Sequence, residues 1–588
     1  MRKGVAVSPG IAVGTAYCAN KLFLPPAAPS AGEVDIQAEL SRYEAARWRA
    51  EEDLLVIQKK AEQQLSRSDA SIFDVHRSIL SDSSLVDRVQ EGIIQNKLTA
   101  QGALHHALEL YSEAFSKFHD SYLRERLTDI RDVLQRVEQH LQNDSVEPDA
   151  PLLANPVILV VDELLPSQVV GIDALKIRGI VTRCGSQTSH AAIVARGLGI
   201  PAVSGIEDIL EIVKTGDHLV VDGREGLVII DPDAEAQAAY LKLEREFFDF
   251  KDHLVENRDL PAKTGDGAVV ELLANVNSVS DARAAGAMGA TGVGLFRTEY
   301  LYLTHPTVPS EEEQVQLYVD VIKAAPAHRV TIRSIDLGGD KTLPFLGRMH
   351  REANPFMGWR SIRLCFEHPD FLLPQLRAVM RAAAIGQDLG GDVRLMFPMI
   401  TTLEEIIEVK RVVRDAQQQL DAEQKPYARV PLGMMLEVPA AAISIDLMLD
   451  EVDFVSIGSN DLVQYLMAAD RDNPKVAHLC QPLAPPVLHI LNKVIRACLD
   501  ARKPVTLCGE MAGHTMSYAV LLGMGLRSFS MSPVLIPYIK EFARYLSTET
   551  AESIVQHVLK LRTTSEIRRY LAEELDKLVP DFERFKIS

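Results

Sequence analysis

The sequence contains few of the residues that mark several common classes of protein. Its six cysteines among 588 residues are dispersed and form no CxxC pair, which argues against a disulfide framework or a cysteine-based zinc site. No run approaches the ~18–20 consecutive apolar residues that a membrane span needs. The net charge of −19 argues against the basic face that nucleic-acid binding needs. Because MRKGVAVSPG lacks a hydrophobic h-region, we expect a cytoplasmic protein without membrane insertion.

Three patterns follow one another in the first half of the chain. Residues 4–18 are punctuated by glycine and resemble strands. Amphipathic stripes then predict a block of helices at 33–66, 71–80 and 104–141. Strand-like runs return at 157–162, 179–182, 202–205 and 218–230, the last as a hairpin. The simplest arrangement pairs residues 4–18 with these strands, so that the helical block is an insertion.

The second half of the chain alternates strands with helices. A linking helix is predicted over 234–257, and eight candidate strands follow at 269–277, 292–299, 330–337, 393–400, 432–439, 454–461, 505–512 and 528–533. Eight strands with helices between them predict a closed parallel (β/α)8 barrel of the TIM type. The predicted fold class is therefore a multidomain α/β protein that ends in a barrel.

Charged and polar side chains stand at the ends of the predicted barrel strands, where barrel active sites form: Arg297, Arg333, Asp336, Glu437, Asn460, Asp461, Cys508 and Glu510. Arg297, Arg333 and Arg360 have the planar fork that binds phosphate or carboxylate. Glu437 and Asp461 offer the hard oxygen ligands that Mg²⁺ takes beside a phosphorylated substrate. Each residue alone has an ordinary explanation as a salt-bridge partner, a cap or a core residue. Their convergence favours a site for a small phosphorylated anion.

The segment CGSQTSHAAIVARGLGIPAVSG (184–205) places His190 at the start of a predicted helix. A neutral imidazole is a competent nucleophile toward phosphorus, and the N-terminus of a helix stabilises a bound phosphate. An isolated TSH would more simply be a tolerated first turn. With an anion site predicted in the same chain, we interpret His190 as a carrier of a phosphoryl group.

Several long segments of the sequence resemble the phosphoenolpyruvate-utilising enzymes. GSQTSHAAIVARGLGIPAVSG resembles the phosphohistidine signature of that family. The barrel blocks are matched in order by LFRTEYLYL, TIRSIDLGGDK, NPFMGWRSIR, MMLEVPAA, SIGSNDLVQYLMAADRDN and LCGEMAG. The similarity covers nearly the whole chain, and VSPGIAVG and SIFDVHRSIL resemble the branch that phosphorylates the small carrier HPr in sugar phosphotransferase systems.

This resemblance implies a division into domains. A swivelling phosphohistidine α/β domain would comprise residues 1–20 and 148–232, with an inserted helical HPr-binding subdomain at 21–147. A linker helix would occupy 233–264. The barrel, at 265–588, would bind phosphoenolpyruvate and form a homodimer.

The resemblance also implies the chemistry. Mg²⁺ would be held by Glu437 and Asp461, and the substrate phosphoenolpyruvate by Arg297, Arg333, Arg360, Asn460, Asp461 and Arg471. His190 would take the phosphoryl group and Cys508 would protonate the enolate to give pyruvate. An HPr-like carrier would then receive the phosphoryl group.

Some positions depart from the family pattern, and other functions stay open. The departures are Leu165, Cys184, Ser186, Gln187, Arg77 and Ser78; the last two lie in the carrier-docking segment and leave the carrier undetermined. Pyruvate phosphate dikinase and phosphoenolpyruvate synthase need an ATP-binding domain, yet only a helical insertion precedes the histidine block, without a GxxxxGK[ST] loop. A regulatory relay remains an alternative to sugar uptake. A non-catalytic regulator is disfavoured because His190 and Cys508 are both present.

Overall fold

The computed structural model describes most of the chain, namely residues 1–18, 35–64, 76–77, 79–116, 121–142, 156–162, 176–184, 195, 199–304, 308–338, 352, 354–471, 473 and 475–585. The chain divides into two compact units, Met1–Phe250 and Lys251–Ser588. Among the described residues, no helix has the length and apolarity needed to cross a bilayer. Each unit is built around its own sheet.

The first unit contains an eight-stranded mixed sheet in the order β1-β8-β7-β3-β4-β5-β6-β2. Its strands are Arg2–Lys3 (β1), Val5–Ser8 (β2), Ile11–Cys18 (β3), Val157–Val161 (β4), Ile177–Thr182 (β5), Ala202–Ser204 (β6), His218–Asp222 (β7) and Leu227–Ile230 (β8). All five residues of β4 are buried, as expected for a strand covered on both faces. β3 pairs with β4 and β7, and β7 with β8, which confirms the predicted pairing and the hairpin.

A helical block lies between β3 and β4 in sequence. Its long helices in the described part of the chain are Ile36–Gln64 (α1), Ser83–Ile94 (α2), Ala100–Ser116 (α3) and Ser121–Gln142 (α4). Because β3 and β4 are neighbours in the sheet, the predicted insertion is confirmed. The stripe predicted over 104–141 covers two helices instead of one. Of the helix predicted over 71–80, residues 71–75 and 78 lie outside the described residues, and α2 was not predicted individually.

The helix α1 shows why this block folds as it does. It buries Tyr43, Ala46, Ala50 and Leu54, which are three or four residues apart and therefore lie on one face. The same hydrophobic cluster includes residues of α2, α3 and α4 and of the sheet, for example Leu159 and Ile180. The insertion and the sheet therefore share a core within the first unit.

The connection from the first unit to the second runs through a helix. A short helix, Ile209–Ile212 (α5), precedes β7, and the helix Ala234–Glu256 (α6) follows β8. This confirms the linking helix predicted over 234–257. The division between the two units falls inside α6, after Phe250.

The second unit is a closed barrel of eight strands in which every neighbouring pair is parallel. The strands are Glu271–Val276 (β9), Val293–Phe296 (β10), Arg329–Arg333 (β11), Asp392–Phe397 (β12), Leu432–Leu436 (β13), Phe454–Ile457 (β14), Val505–Leu507 (β15) and Ser528–Met531 (β16). The predicted barrel is confirmed. Each strand is shorter than predicted, because its pairing with the neighbouring strands ends before the last residues of the predicted run.

Helices alternate with the barrel strands and complete the unit. They are Val279–Ala287 (α7), Glu299–Thr304 (α8), Glu311–Ala324 (α9), Ile362–Glu367 (α10), Pro369–Asp388 (α11), Leu403–Ala422 (α12), Pro439–Ile443 (α13), Ser459–Met467 (α14), Pro485–Asp500 (α15), Thr515–Gly523 (α16), Ile536–Ala543 (α17), Thr548–Val558 (α18) and Thr564–Leu578 (α19). Capping boxes at Ser310, Thr402 and Thr563 begin α9, α12 and α19. These side chains satisfy N–H groups that the first turn of a helix otherwise leaves unpaired.

Candidate functional site

The polar residues predicted at the barrel strand ends lie on the carboxyl-terminal rim of the barrel. Arg297 follows the last residue of β10, Arg333 is the last residue of β11, and Glu437 follows β13. Asp461 lies in the first turn of α14, directly after β14, and Cys508 follows β15. Since all strands of the barrel run parallel, these side chains share one end of it.

The guanidinium group of Arg333 is buried and held by carboxylates. Its Nη2 lies 2.6 Å from Glu299 Oε1 and 3.3 Å from Asp336 Oδ2. Burial alone would lower the pKa of Arg333, but Glu299, Asp336 and Glu437 raise it above its ordinary value. The guanidinium therefore keeps its charge in a buried position. Its Nε is buried and has no hydrogen-bond partner among the described residues.

Arg360 forms a buried ion pair that connects two parts of the rim. Its Nη2 is 3.0 Å from both carboxylate oxygens of Asp336 and 3.5 Å from Asp461 Oδ2. On the other side of Asp461, Oδ1 lies 3.3 Å from Nη1 of the exposed Arg471. Asp336 and Asp461 thus orient two guanidinium groups, and the fork of Arg360 still has edges that can bind an anion.

Arg297 differs from its neighbours because its guanidinium makes no ion pair or hydrogen bond with another described residue. It is half-buried. Burial and the nearby charge of Arg333 lower its pKa, and Arg471 contributes in the same direction. A positive group that is desolvated and repelled by its neighbours is stabilised when an anion binds beside it. Arg297 is therefore the strongest indication of an anion site on the rim.

Glu437 is a buried carboxyl group that resists ionisation. Burial raises its pKa to about 8, and the charges of Asp461 and Asp336 add to this effect. The backbone N–H of Met399 donates to its Oε1 at 2.7 Å, from a left-handed backbone conformation with φ of 59°. Such a conformation is costly for a residue with a side chain, so the surrounding structure holds this donor in place.

Asn460 is held by a two-point interaction with the next strand connection. Its Nδ2 donates to Glu510 Oε1 at 3.0 Å, and the backbone N–H of Glu510 donates to Asn460 Oδ1 at 2.9 Å. Gly509 makes this approach possible, because a Cβ there would lie 1.9 Å from Ser459 Oγ. The amide of Asn460 is thus fixed in orientation at the rim.

Cys508 is a buried thiol inside the barrel mouth. It packs with Leu295, Met396, Met435 and Phe454, and its Sγ lies 3.5 Å from the carbonyl oxygen of Ile457, to which the S–H donates. Burial raises the pKa of this thiol. At neutral pH the group is therefore a protonated thiol, suited to giving up a proton and not to acting as a thiolate nucleophile.

Glu437 and Asp461 fit the needs of a magnesium ion, although the described residues contain no group of three His, Cys, Asp or Glu side chains suited to a metal. Asp461 Oδ1 is buried and accepts no hydrogen bond from the described residues, although Arg471 Nη1 lies 3.3 Å away as an ion-pair partner. The negative charges of Glu437 and Asp461 also repel each other. A Cβ at Gly458 would lie 2.8 Å from Glu437 Oε2, so glycine leaves that oxygen accessible. Mg²⁺ is commonly held by one or two carboxylates together with substrate phosphate and water.

His190, the predicted carrier of the phosphoryl group, and the helix predicted to begin there lie outside the described residues. Arg363 donates to the carbonyl oxygens of Met357 and Gly358, so it stabilises the loop that leads to Arg360.

The structure adds residues that the sequence did not single out. Glu299 accepts from Arg333 and also from the backbone N–H of Asp336, at 3.1 Å. The hydroxyl of Tyr465 donates to the carbonyl oxygen of Phe356 at 2.5 Å and so ties α14 to the loop before Arg360. The only sequence signal for Glu299 was its place two residues after Arg297; Tyr465 had none.

Comparison with known families matches three parts of the chain. Residues 3–126 match the N-terminal domain of PEP-utilising enzymes, residues 153–226 their mobile domain, and residues 251–548 their PEP-binding domain. The last match contains every rim residue described above. The fold and the rim thus define the class, that of a PEP-utilising enzyme.

Similarity to individual proteins narrows this class. The chain is 38% identical over 565 residues to the phosphoenolpyruvate-protein phosphotransferase of Bacillus sp. (strain S), which covers 96% of each chain. It is 38% identical over 566 residues to that of Geobacillus stearothermophilus, with the same coverage. Identity to the Bacillus subtilis (strain 168) protein is 37% over 573 residues, 97% of this chain and 99% of that one. The chain belongs to the phosphoenolpyruvate-protein phosphotransferase family.

Proposed function

We propose that this chain transfers the phosphoryl group of phosphoenolpyruvate to its own His190, with release of pyruvate, and then to a histidine of an HPr-like carrier. This is the reaction of enzyme I in the phosphoenolpyruvate:sugar phosphotransferase system. The observation that carries the proposal is the rim of guanidinium groups, in which Arg297 has no ion-pair partner among the described residues. Phosphoenolpyruvate supplies both a phosphate and a carboxylate for such groups.

In this proposal the rim positions the substrate before chemistry begins. Arg297, Arg333 and Arg360 bind its anionic groups together with Asn460, Asp461 and Arg471. The guanidinium groups of Arg333 and Arg360 are oriented in advance by Glu299 and Asp336. Preorganised charges of this kind contribute most of the stabilisation in phosphoryl transfer.

Glu437 and Asp461 would hold Mg²⁺, which supplies charge neutralisation at the phosphate when it is bound. The raised pKa of Glu437, caused first by burial, supports this role because a cation would favour the ionised form that burial opposes.

The chemical step forms one bond and breaks another. A ring nitrogen of His190 attacks phosphorus, the bridging P–O bond breaks, and pyruvate enolate leaves. The protonated thiol of Cys508 then delivers its proton to the enolate carbon and recovers one from water. The buried, protonated state of Cys508 supports its assignment as the acid.

The proposed division of labour follows the domains expected from the sequence. Residues 1–20 and 148–232 would carry His190 on a swivelling domain, and 21–147 would bind the carrier. The segment 233–264 would link them to the barrel at 265–588. This division is supported by the shared sheet of β1 to β8, by the helical block between β3 and β4, and by the three family matches.

We also propose a homodimer formed through the barrel. Its support is a pair of apolar side chains on the connection after β13, where Ile443 is 60% and Leu447 is 71% exposed. Burying these two side chains against a partner would remove apolar surface from water, which favours association. The test is analytical ultracentrifugation of the intact chain at micromolar concentration. A single species with the mass of the monomer would contradict this assignment.

The proposed reaction takes place in the cytoplasm. None of the six cysteines forms a disulfide bond, as expected in a reducing compartment. The proposal includes neither a nucleic acid nor a membrane as a partner.

The test of the proposal is phosphoryl transfer itself. Purified protein would be incubated with phosphate-labelled phosphoenolpyruvate and Mg²⁺ beside His190→Ala and a matched control, His557→Ala, on the exposed face of α18. We expect acid-labile label and pyruvate release with wild type and His557→Ala, and neither with His190→Ala. Adding an HPr-like carrier should then discharge the label.

The same experiment separates the competing functions. A protein that binds phosphoenolpyruvate but takes no label is a non-catalytic regulator, and the proposal fails. If both His190→Ala and wild type take label, His190 is not the nucleophile and that assignment is wrong. Label that only a carrier from a regulatory relay removes would place the chain in that relay instead of in sugar uptake.

A further inference from the structure

A buried chain of polar side chains lies behind the strand end that carries Arg333 and Asp336. Its members are Thr298, Tyr302, Gln314, Tyr318 and Gln375, each at most 1% exposed. They come from the turn after β10 and from the helices α8, α9 and α11. Burying five polar side chains in one place is unfavourable unless each is hydrogen-bonded.

Two of these side chains form hydrogen bonds with the backbone on either side of Ser334. The hydroxyl of Thr298 donates to the carbonyl oxygen of Arg333 at 3.0 Å. The backbone N–H of Ile335 donates to Gln375 Oε1 at 2.9 Å. The last residue of β11, Arg333, and the segment Ser334–Asp336 that follows it are therefore anchored by these side chains in addition to β12, whose Met396 carbonyl oxygen accepts from the Ser334 N–H at 2.9 Å.

The remaining bonds connect these anchors to the outer helices. Gln375 Nε2 donates to Thr298 Oγ1 at 3.1 Å and to the hydroxyl of Tyr318 at 3.2 Å. The hydroxyls of Tyr318 and Tyr302 both donate to Gln314 Oε1, at 3.2 and 3.0 Å. Gln314 Nε2 donates in turn to the carbonyl oxygen of Pro309 at 3.0 Å.

The direction of every bond in the chain follows from its chemistry. Burial raises the pKa of Tyr302 and of Tyr318, so both phenols keep the protons that they donate. Gln375 uses its one oxygen and both N–H groups, and Thr298 both donates and accepts. A buried network whose members are all satisfied fixes one geometry.

The network ends where the anion site begins. Glu299, next to Thr298 in sequence, binds the Arg333 guanidinium and the N–H of Asp336. Thr298 therefore binds the backbone of Arg333, and the neighbouring Glu299 binds the side chain of the same residue. Asp336 in turn orients Arg360 through two contacts of 3.0 Å.

We propose that Thr298 and Gln375 are positioning residues that set the placement of Arg333 and, through Asp336, of Arg360 toward phosphoenolpyruvate. This inference rests on the proposed function, in which those guanidinium groups bind the substrate. Neither residue touches the substrate. A displacement of about 1 Å in a binding group can cost about 10²-fold in rate, so loss of an anchor changes the use of substrate as well as stability.

A matched pair of variants tests the proposal. Thr298→Val keeps the shape of the side chain but removes the hydroxyl, whereas Thr298→Ser retains it. The initial rate of self-phosphorylation would be measured against phosphoenolpyruvate concentration at a temperature where circular dichroism shows each variant folded. We expect kcat/KM to fall roughly 10- to 100-fold in Thr298→Val, with a higher KM, and to recover to within about twofold of wild type in Thr298→Ser.

A second measurement tests whether the segment Arg333–Asp336 stays anchored, and it does not depend on catalysis. Amide hydrogen exchange of the peptide containing Ile335 should accelerate roughly tenfold in Thr298→Val and in Gln375→Met, and not in Thr298→Ser. Gln375→Met removes the acceptor of the Ile335 N–H while keeping the length of the side chain. It also replaces Thr298→Val in both measurements if that variant does not fold.

The outcomes separate this inference from the proposed function. If wild type takes no label, the proposed function fails and the exchange measurement alone decides whether the anchors hold the segment. Wild-type exchange in Thr298→Val and Gln375→Met would overturn the proposal. So would a lower melting temperature with unchanged KM and kcat/KM, because that combination shows a purely structural role.

Discussion

Glu437 occupies a place in the barrel that opposes its ionisation. It is buried, faces Asp461 and Asp336, and has a pKa raised to about 8 from an ordinary value of 4.5. The unfolded chain ionises this group near the ordinary value. Folding therefore requires uptake of a proton over the whole interval between the two pKa values, and the free energy of unfolding of the metal-free protein falls as pH rises through it.

Glu437→Gln removes this titration, so we expect the variant to become progressively more stable than wild type as pH rises. In metal-free buffer the difference in the free energy of unfolding should grow between about pH 4.5 and about 8 and then level off. A full shift of this size corresponds to roughly 5 kcal/mol. The measurement is urea unfolding at a series of pH values in the presence of a chelator.

The exposed carboxyl group of Glu549, on α18, provides the control. Glu549→Gln has the same change of charge at a remote surface position and should give a small difference that does not grow in this way. A difference for Glu437→Gln that stays flat between pH 5 and 8 would contradict the environment described for Glu437.

The sequence could place most rim residues but not their partners. Arg297, Arg333 and Glu437 were found because each ends an apolar run, and parallel strands bring such positions together. The pairing of Arg360 with Asp336 could not be predicted, since it depends on the path of the loop between them. Nor could the sequence predict that Arg297 has no ion-pair partner among the described residues, because that property depends on its three-dimensional surroundings.

The helix α9 is an element whose start is encoded locally. Ser310 accepts from the N–H of Glu313 through its hydroxyl, and the carboxylate of Glu313 accepts from the N–H of Ser310. This capping box satisfies donors at both positions. The helix that it begins carries Gln314 and Tyr318, so the cap also sets the start of the polar chain behind Arg333.

Ser310→Ala removes half of this cap, and we expect it to lower the free energy of unfolding of the second unit by about 1 kcal/mol. Ser310→Thr retains a hydroxyl and should lose much less. Unfolding in urea would be followed by the fluorescence of Trp359 in a Trp48→Phe background, since the chain has two tryptophans. Equal losses in the two variants would show that the hydroxyl does not stabilise the helix.

Helices were predicted correctly where the spacing of apolar residues is regular. A boundary between two helices was missed where the same spacing continues across it. The stripe over 104–141 keeps its spacing although α3 ends at Ser116 and α4 begins at Ser121, so one helix was predicted. The barrel strands were predicted too long for a related reason. Composition marks the apolar run well, but the residue at which a strand leaves the sheet is set by the neighbour with which it pairs.

At the scale of the whole molecule, the chain consists of two units with separate cores. The first is organised by the mixed sheet and its helical insertion, and the second by the barrel. The proposed site for phosphoenolpyruvate lies entirely in the second. Ligand binding stabilises the folded state that it binds and leaves an independent unit unaffected.

We therefore expect two thermal transitions by calorimetry, of which phosphoenolpyruvate with Mg²⁺ raises only one. At a concentration of 100 Kd the stabilisation is about 2.7 kcal/mol. The shifted transition should coincide with the loss of Trp359 fluorescence in the Trp48→Phe variant. Measurement on His190→Ala avoids turnover. A single transition, or an equal shift of both, would show that the units do not unfold independently.

The sequence by itself determined the class of fold, the number of barrel strands and the positions that carry arginine and carboxylate side chains at their ends. These depend on periodicity and on order along the chain. The tertiary structure alone decided that Glu437 is buried against two carboxylates and that Thr298 and Gln375 anchor the end of β11. Such properties arise from contacts between residues far apart in sequence, as in the 77 positions that separate Thr298 from Gln375, and no local pattern encodes them.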